Sequence, residues 1–199
     1  MGRRGVREEI VEAALEQFHV QGYNAAGVKV ITDAAGVPKG SFYNHFDSKE
    51  ALAVVALQRY GAEHPVRELA GGHGEPLTRL RAHFESIRDD VVRHEFTRGC
   101  LLGNLGAEVA DHSEVIREAV RQGLAQWTEA IAVVLAEARD AGALRTGVDP
   151  RATAGFIVNA WEGSLIRARA DRSADAFESF FALVFGALLP AGDTASARQ

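Results

Sequence analysis

At 199 residues, the chain is long enough for one domain or two small ones with a substantial core. A hydrophobic fraction of 47% with only 5 prolines favours helices, and no apolar run approaches the roughly 18 residues of a membrane span, which argues against a membrane protein. The single cysteine, Cys100, excludes an internal disulfide, and the net charge of -5 excludes a chain that holds nucleic acid by bulk charge alone.

The basic start from Met1 to Gly5 has no apolar stretch behind it, so no signal peptide is expected. With one thiol, this places the chain in the cytoplasm. Val6, Ile10, Ala14 and Phe18 recur every four residues with Glu8, Glu9, Glu12 and Glu16 between them, which predicts an amphipathic helix ending near Gly22. A short second helix is expected from Val28 to Ala35, with Val28, Ile31 and Ala35 inward. Gly36 and Val37 make a turn, and Pro38 or Lys39 opens a third helix. A fourth begins at Asp47 or Ser48, where Asp47-Ser48-Lys49-Glu50 reads as a capping box. Short helices around a turn containing glycine form a helix-turn-helix pattern.

Within it, the segment from Gly36 to Phe46 interleaves Lys39, Gly40, Ser41, Asn44 and His45 with Phe42, Tyr43 and Phe46. A recognition helix needs this mixture. Bulky residues seat it on its own domain, while small and hydrogen-bonding ones let it lie against phosphates and base edges. Bulk charge does not help. In the first fifty residues, Arg3, Arg4, Arg7, Lys29, Lys39 and Lys49 are outnumbered by one acidic group, so affinity must come from placement.

Gly22-Tyr23, Ala34-Ala35-Gly36-Val37, the run from Lys39 to Phe46 and Ser48-Lys49-Glu50 stand in the order and spacing of the TetR family of transcriptional repressors, which this region resembles. The resemblance implies a double-stranded DNA operator as partner. It makes Tyr43 and His45 contacts to backbone and bases, Lys39 and Ser41 groove-facing residues beside Asn44, and Lys49 a phosphate ligand. Gly40 would let the backbone approach the duplex, and Phe42 and Phe46 would be core. One departure is that Ala26-Gly27 stands where the family usually has a hydroxyl residue that caps the second helix and touches phosphate.

Further on, Gly71 to Pro76 is the only strong breaker cluster. Helices are expected at about 77–95, 98–110, 113–141, 150–171 and 174–189, making about nine in an all-α chain. Val148-Asp149-Pro150 marks the boundary before the penultimate helix, and residues 191–199 read as a flexible tail. Phe177, Phe180, Phe181, Val184, Phe185 and Leu188 form a stripe that must be buried. Gly155, Asn159 and Gly163 give the penultimate helix a small-residue face.

The same resemblance implies a DNA-binding domain at 1–47 and a ligand-binding and dimerisation domain at 48–190. It implies a homodimer through 150–171 and 174–189, with the phenylalanine stripe as the reason to place the interface there, and a small-molecule inducer that the sequence does not name. The block from Arg98 to Glu108, with Ala160-Trp161-Glu162-Gly163 and the run from Arg169 to Ser173, resembles the electrophile-responsive branch of N-ethylmaleimide-reactive repressors. Cys100 would then be the redox sensor, with Arg169 where that branch has a lysine.

Pocket candidates are Phe84, Ile87, Leu101, Leu105, Trp127, Trp161 and Leu165, with His83, Asn104, Asn159 and Glu162 as polar anchors. Thr97 is expected to cap the helix from 98, putting Cys100 at its third position beside the positive end of the dipole and Arg98. Gly99, Gly103 and Gly106 would lie on one face of that helix. The alternatives are an enzyme using Cys100 with His94 or His112, and a helical interaction module without DNA binding. No nucleophile elbow, metal-spaced cluster or phosphate loop is present, and no cofactor is expected.

Overall fold

A computed structural model of the chain describes residues 5–63 and 66–191. Its helices are α1 (Val6–Ala25), α2 (Val28–Ala34), α3 (Lys39–Tyr43), α4 (Lys49–Glu63), α5 (Pro76–Arg93), α6 (Leu101–Val109), α7 (Glu114–Asp140), α8 (Pro150–Asp171) and α9 (Asp175–Leu183). A single 3-10 turn, Val66–Leu69, precedes α5, and a π turn, Val184–Leu188, follows α9. Leu144 and Pro190 form an isolated antiparallel bridge. The protein is all-α, and none of these helices is long and apolar enough to cross a membrane. Arg3, Arg4 and the expected tail, apart from Ala191, lie outside the described residues.

The described residues fall into two compact units. The first comprises residues up to 63 together with 98–124; the second comprises 66–97 together with 125–191. In the first, α1 packs on α2, α3, α4 and α6 around Ile10, Phe18, Ile31, Phe42 and Leu52, all fully buried. Each such side chain contributes roughly 1.5–3 kcal/mol when removed from water. α1 bends at Gly22, whose φ of 78° leaves the helical region and separates a last short turn from the rest. Arg59 of α4 pairs with Glu8 of α1.

In the second unit, α8 and α9 pack together around Trp161, whose indole stacks on Phe177 with ring centroids 5.0 Å apart. Phe84 and Phe180 close on the same ring at 4.9 Å each. α8 starts where Asp149 caps it, its carboxylate accepting the Ala152 N–H at 2.7 Å with Pro150 in the first turn.

Two expectations are corrected here. The phenylalanine stripe is not an outer face: Phe177, Phe180, Phe181 and Val184 are buried inside their own subunit around Trp161. The helix expected from 98 begins only at Leu101. Glu95 and Phe96 take φ of 52° and 58°, ending α5, and the Thr97 hydroxyl turns back to donate to the His94 carbonyl at 2.6 Å. Thr97 therefore caps nothing ahead of it. Cys100 is the N-cap residue rather than the third helical one, and Gly99 lies outside α6.

Candidate nucleic-acid interface

The recognition segment is built outward from Phe42. This ring is fully buried and lies 5.6 Å from Phe46, over which the Arg7 guanidinium sits at 5.2 Å. α2 is held to its own first turn by the buried Thr32 hydroxyl, which donates to the Val28 and Lys29 carbonyls at 3.0 and 3.1 Å. Gly36, with φ of 68°, makes the turn, and the Val37 N–H closes it on the Thr32 carbonyl at 3.0 Å. α3 then follows Pro38 as its N-cap.

With Phe42 anchored, most of α3 and the two residues after it face outward. Lys39, Gly40, Asn44 and His45 are exposed, Ser41 is half-buried, and Tyr43 is 60% exposed at the edge of the Phe42 ring, 5.1 Å away. A Cβ placed on Gly40 would meet nothing within 4 Å in the subunit. No contact inside the chain demands glycine there. Gly27 caps α2 with no side-chain hydrogen bond, so the hydroxyl contact to phosphate is absent at this end.

Lys49 is placed differently from the rest of the expected set. Its ammonium donates to the Tyr23 carbonyl at 2.9 Å and lies 4.0 Å from the centre of the Tyr23 ring. Burial pushes its pKa below the ordinary lysine value, with the Glu108 carboxylate pulling it back up. Ser48, rather than Asp47, caps α4, its hydroxyl accepting the Ala51 N–H at 3.0 Å.

Sequence reasoning missed a second partner of this corner. The Glu108 carboxylate of α6 accepts the backbone N–H of Tyr23 at 2.8 Å and of Asn24 at 2.7 Å, just beyond the Gly22 break. Burial, then the charges of Glu50 and Glu108, push the Tyr23 phenol up to about 12. The signals available were a glycine at position 22 and an acid at the end of a glycine-containing helix, and nothing local connects them.

The expected sensor residues fall in different units. In the first, Cys100 is buried, 7% exposed, and its carbonyl accepts the Asn104 N–H that opens α6. Leu101 and Leu105 are core there, and the Arg98 guanidinium pairs with Glu16. In the second, Trp161 and Leu165 are buried, Glu162 and Arg169 are half-buried, and Asn159 is exposed. The His83 ring accepts the Trp127 indole N–H at 3.0 Å, beside Phe84. His94, a partner in the enzymatic alternative, bonds the carbonyl of Asp90 on its own helix at 2.8 Å.

A buried aromatic seat, a glycine turn and an exposed polar helix define a helix-turn-helix DNA-binding protein. Residues 10–56 match the family model of bacterial regulatory proteins of the tetR family, and residues 76–184 match the tetracyclin repressor-like C-terminal domain. The chain belongs to the TetR family of transcriptional regulators. It is 33% identical over 199 residues to the HTH-type transcriptional repressor DhaR of Mycobacterium sp. strain GP1, covering 98% of each. It is 34% identical over 176 residues to the transcriptional regulator AcuR of Cereibacter sphaeroides, covering 87% of this chain and 80% of that protein. The crystal structure of Escherichia coli NemR in its reduced form superposes with a TM-score of 0.83 at 29% identity, covering 94% of this chain and 98% of that one.

Proposed function

We propose that this regulator is a cytoplasmic repressor whose homodimer holds a palindromic operator and releases it when a small molecule binds the C-terminal part. The observation that carries this reading is the array on and just after α3, with Lys39, Gly40, Tyr43, Asn44 and His45 exposed and Ser41 half-buried, backed by buried Phe42 and Phe46. Residues 1–47 supply DNA contacts and 48–190 supply sensing and dimerisation; this functional boundary is separate from the packing division, which groups α6 with α1 to α4. DNA and inducer prefer different states of one molecule, so each weakens the other by a coupling on the order of 1–3 kcal/mol.

The dimer interface lies on α8 and α9, on a face other than the phenylalanine stripe. Phe156, Asn159, Gly163 and Ile166 share one exposed side of α8, and Leu183 at the end of α9 and Gly186 in the π turn after it are exposed. Gly155, Gly163 and Gly186 have open space where a Cβ would stand, which a second helix pair can fill. Selection of duplexes from a random library by the purified chain tests the whole reading. An enriched inverted repeat supports it, and no enrichment above non-specific binding overturns it.

Thiol modification at Cys100 is a second route to release. The likeness to NemR favours it, together with the position of Cys100 at the start of α6. Operator release by N-ethylmaleimide in the parent but not in Cys100→Ser supports this route. Release in both, or in neither, leaves Cys100 as a packing residue.

A further inference from the structure

Glu108 is the one acidic residue of α6. Its carboxylate reaches back across 85 and 84 residues of sequence to the Tyr23 and Asn24 amides. Those amides lie where α1 breaks, and α2 starts four residues later at Val28. The break itself depends on Glu108's neighbour: Gly22 adopts φ of 78°, and a Cβ there would stand 2.7 Å from a Glu108 oxygen. The left-handed φ favours glycine, and a side chain there would push the Glu108 carboxylate aside. On the far side of the same residue, the Tyr23 carbonyl accepts the Lys49 ammonium from the first turn of α4. One short stretch of backbone is thus held through its N–H groups by α6 and through a carbonyl by α4.

We propose that Glu108 is a positioning residue for operator binding, fixing the α1–α2 junction to α6 so that the orientation of the helix-turn-helix follows α6. The inference rests on the DNA-binding reading above and deepens it. Backbone amides are fixed points of the chain, so a two-oxygen grip on consecutive amides constrains the direction of the junction as well as its distance from α6. α2 leaves that junction, and α3 is joined to α2 by the turn at Gly36. A small change of direction there is carried to Tyr43 and Lys39 at the surface that meets the groove.

The grip is costly to break partially. With the carboxylate removed, the part-buried Tyr23 amide and the exposed Asn24 amide lose their acceptor, and Lys49 loses the negative charge that favours its ammonium. Those losses fall on the joint between elements rather than on the hydrophobic core of the unit.

The test uses the full chain and a duplex that the parent protein enriches from a random library. Glu108→Ala and Glu108→Gln are compared with Val109→Ala, which removes buried volume from the same helix without touching the carboxylate. Four quantities are read: affinity for the enriched duplex, affinity for a scrambled duplex, melting temperature, and exchange of the Tyr23 and Asn24 amides. Glu108→Ala is expected to lose roughly ten-fold in affinity for the enriched duplex, as two hydrogen bonds to a charged acceptor are removed. Binding to the scrambled duplex stays near the parent's, and both amides exchange faster. Glu108→Gln, with one acceptor oxygen left, falls between the two.

Equal affinity of both Glu108 variants and the parent for the enriched duplex overturns the inference. So does loss of specific and scrambled binding together, in proportion to melting temperature and along the line set by Val109→Ala. If Glu108→Ala does not fold, the isosteric Glu108→Gln decides on the same readouts. Failure of the parent to enrich any duplex removes the DNA-binding reading itself, whereas enrichment by the parent with indifferent variants removes only the role of Glu108.

Discussion

Phe42 and Tyr43 are adjacent aromatics with opposite roles, one fully buried and the other 60% exposed. Tyr43→Ala is expected to leave melting and dimer mass unchanged and to weaken operator binding by about 1–3 kcal/mol, measured by titration of the selected duplex. Phe42→Ala should instead lower stability by about 3–5 kcal/mol in denaturant, as the seat of α3 is lost. Lys49 separates two readings. As a phosphate ligand, its removal lowers the salt slope of binding by about 1 per subunit. Its bonds to Tyr23 point to an internal brace, so Lys49→Ala is expected to reduce stability and affinity with the slope unchanged. A slope that drops would return it to the phosphate backbone. The inward or outward direction of the α3 residues was legible because aromatic and small polar types separate by face. The engagement of Lys49 was not, because the carbonyl it meets is 26 residues away and backbone atoms leave no mark in sequence.

The glycine cluster between α4 and α5 shows the same limit at the scale of elements. Breakers from Gly71 to Pro76 announce a loop, yet the segment is tied down. Arg79 donates to the Leu69 carbonyl at 3.2 Å and the Gly74 carbonyl at 2.6 Å, and pairs with Glu137 of α7, which also accepts the Gly71 N–H at 3.0 Å. The Gly71 hydrogen bond, and after it Arg79, holds the Glu137 pKa below its ordinary 4.5, against the opposing effect of burial. A depressed carboxylate contributes stability above its unfolded value, and loses it as pH falls through the folded one. Glu137→Gln should therefore be less stable than the parent at neutral pH by about 1 kcal/mol in denaturant unfolding, and the gap should close as pH drops below 4.5. A gap independent of pH removes the charge from the explanation. Helix existence was readable from periodicity along most of the chain, with α8 matching even at its ends because Asp149-Pro150 is a strong start signal. The gap between α5 and α6 was not: Glu95 and Phe96, non-glycine residues in left-handed conformation, end α5, and α6 starts only at Leu101. Such conformations are set by surrounding packing rather than by local propensity.

For the whole molecule, the sequence pointed to α8 and α9 as the dimer face for a reason the structure reassigns. The apolar stripe closes the chain's own core around Trp161, so a different face of α8 and α9 is left outward. Phe156 is 57% exposed and Ile166 68%, with Gly155 before and Gly163 between them, and Leu183 is 66% exposed on α9. Exposed apolar residues grouped on one helix face, beside glycines with open space, suit a second copy of the same face across a two-fold axis. A two-fold axis through this face would have a functional consequence. A palindromic operator presents half-sites ~34–36 Å apart, and only a dimer offers two α3 helices at a fixed separation to match them. Ile166→Asp and Leu183→Asp place charges at exposed positions, so each subunit should keep its helical signal while the dimer is lost, as read by sedimentation at micromolar concentration. Each subunit then binds a half-site alone, and affinity for the full duplex should fall by at least about 100-fold, because the second half-site no longer adds to the first. A dimer that survives both substitutions puts the interface elsewhere, and persistence of operator affinity in a confirmed monomer breaks the link between the two-fold axis and the palindrome.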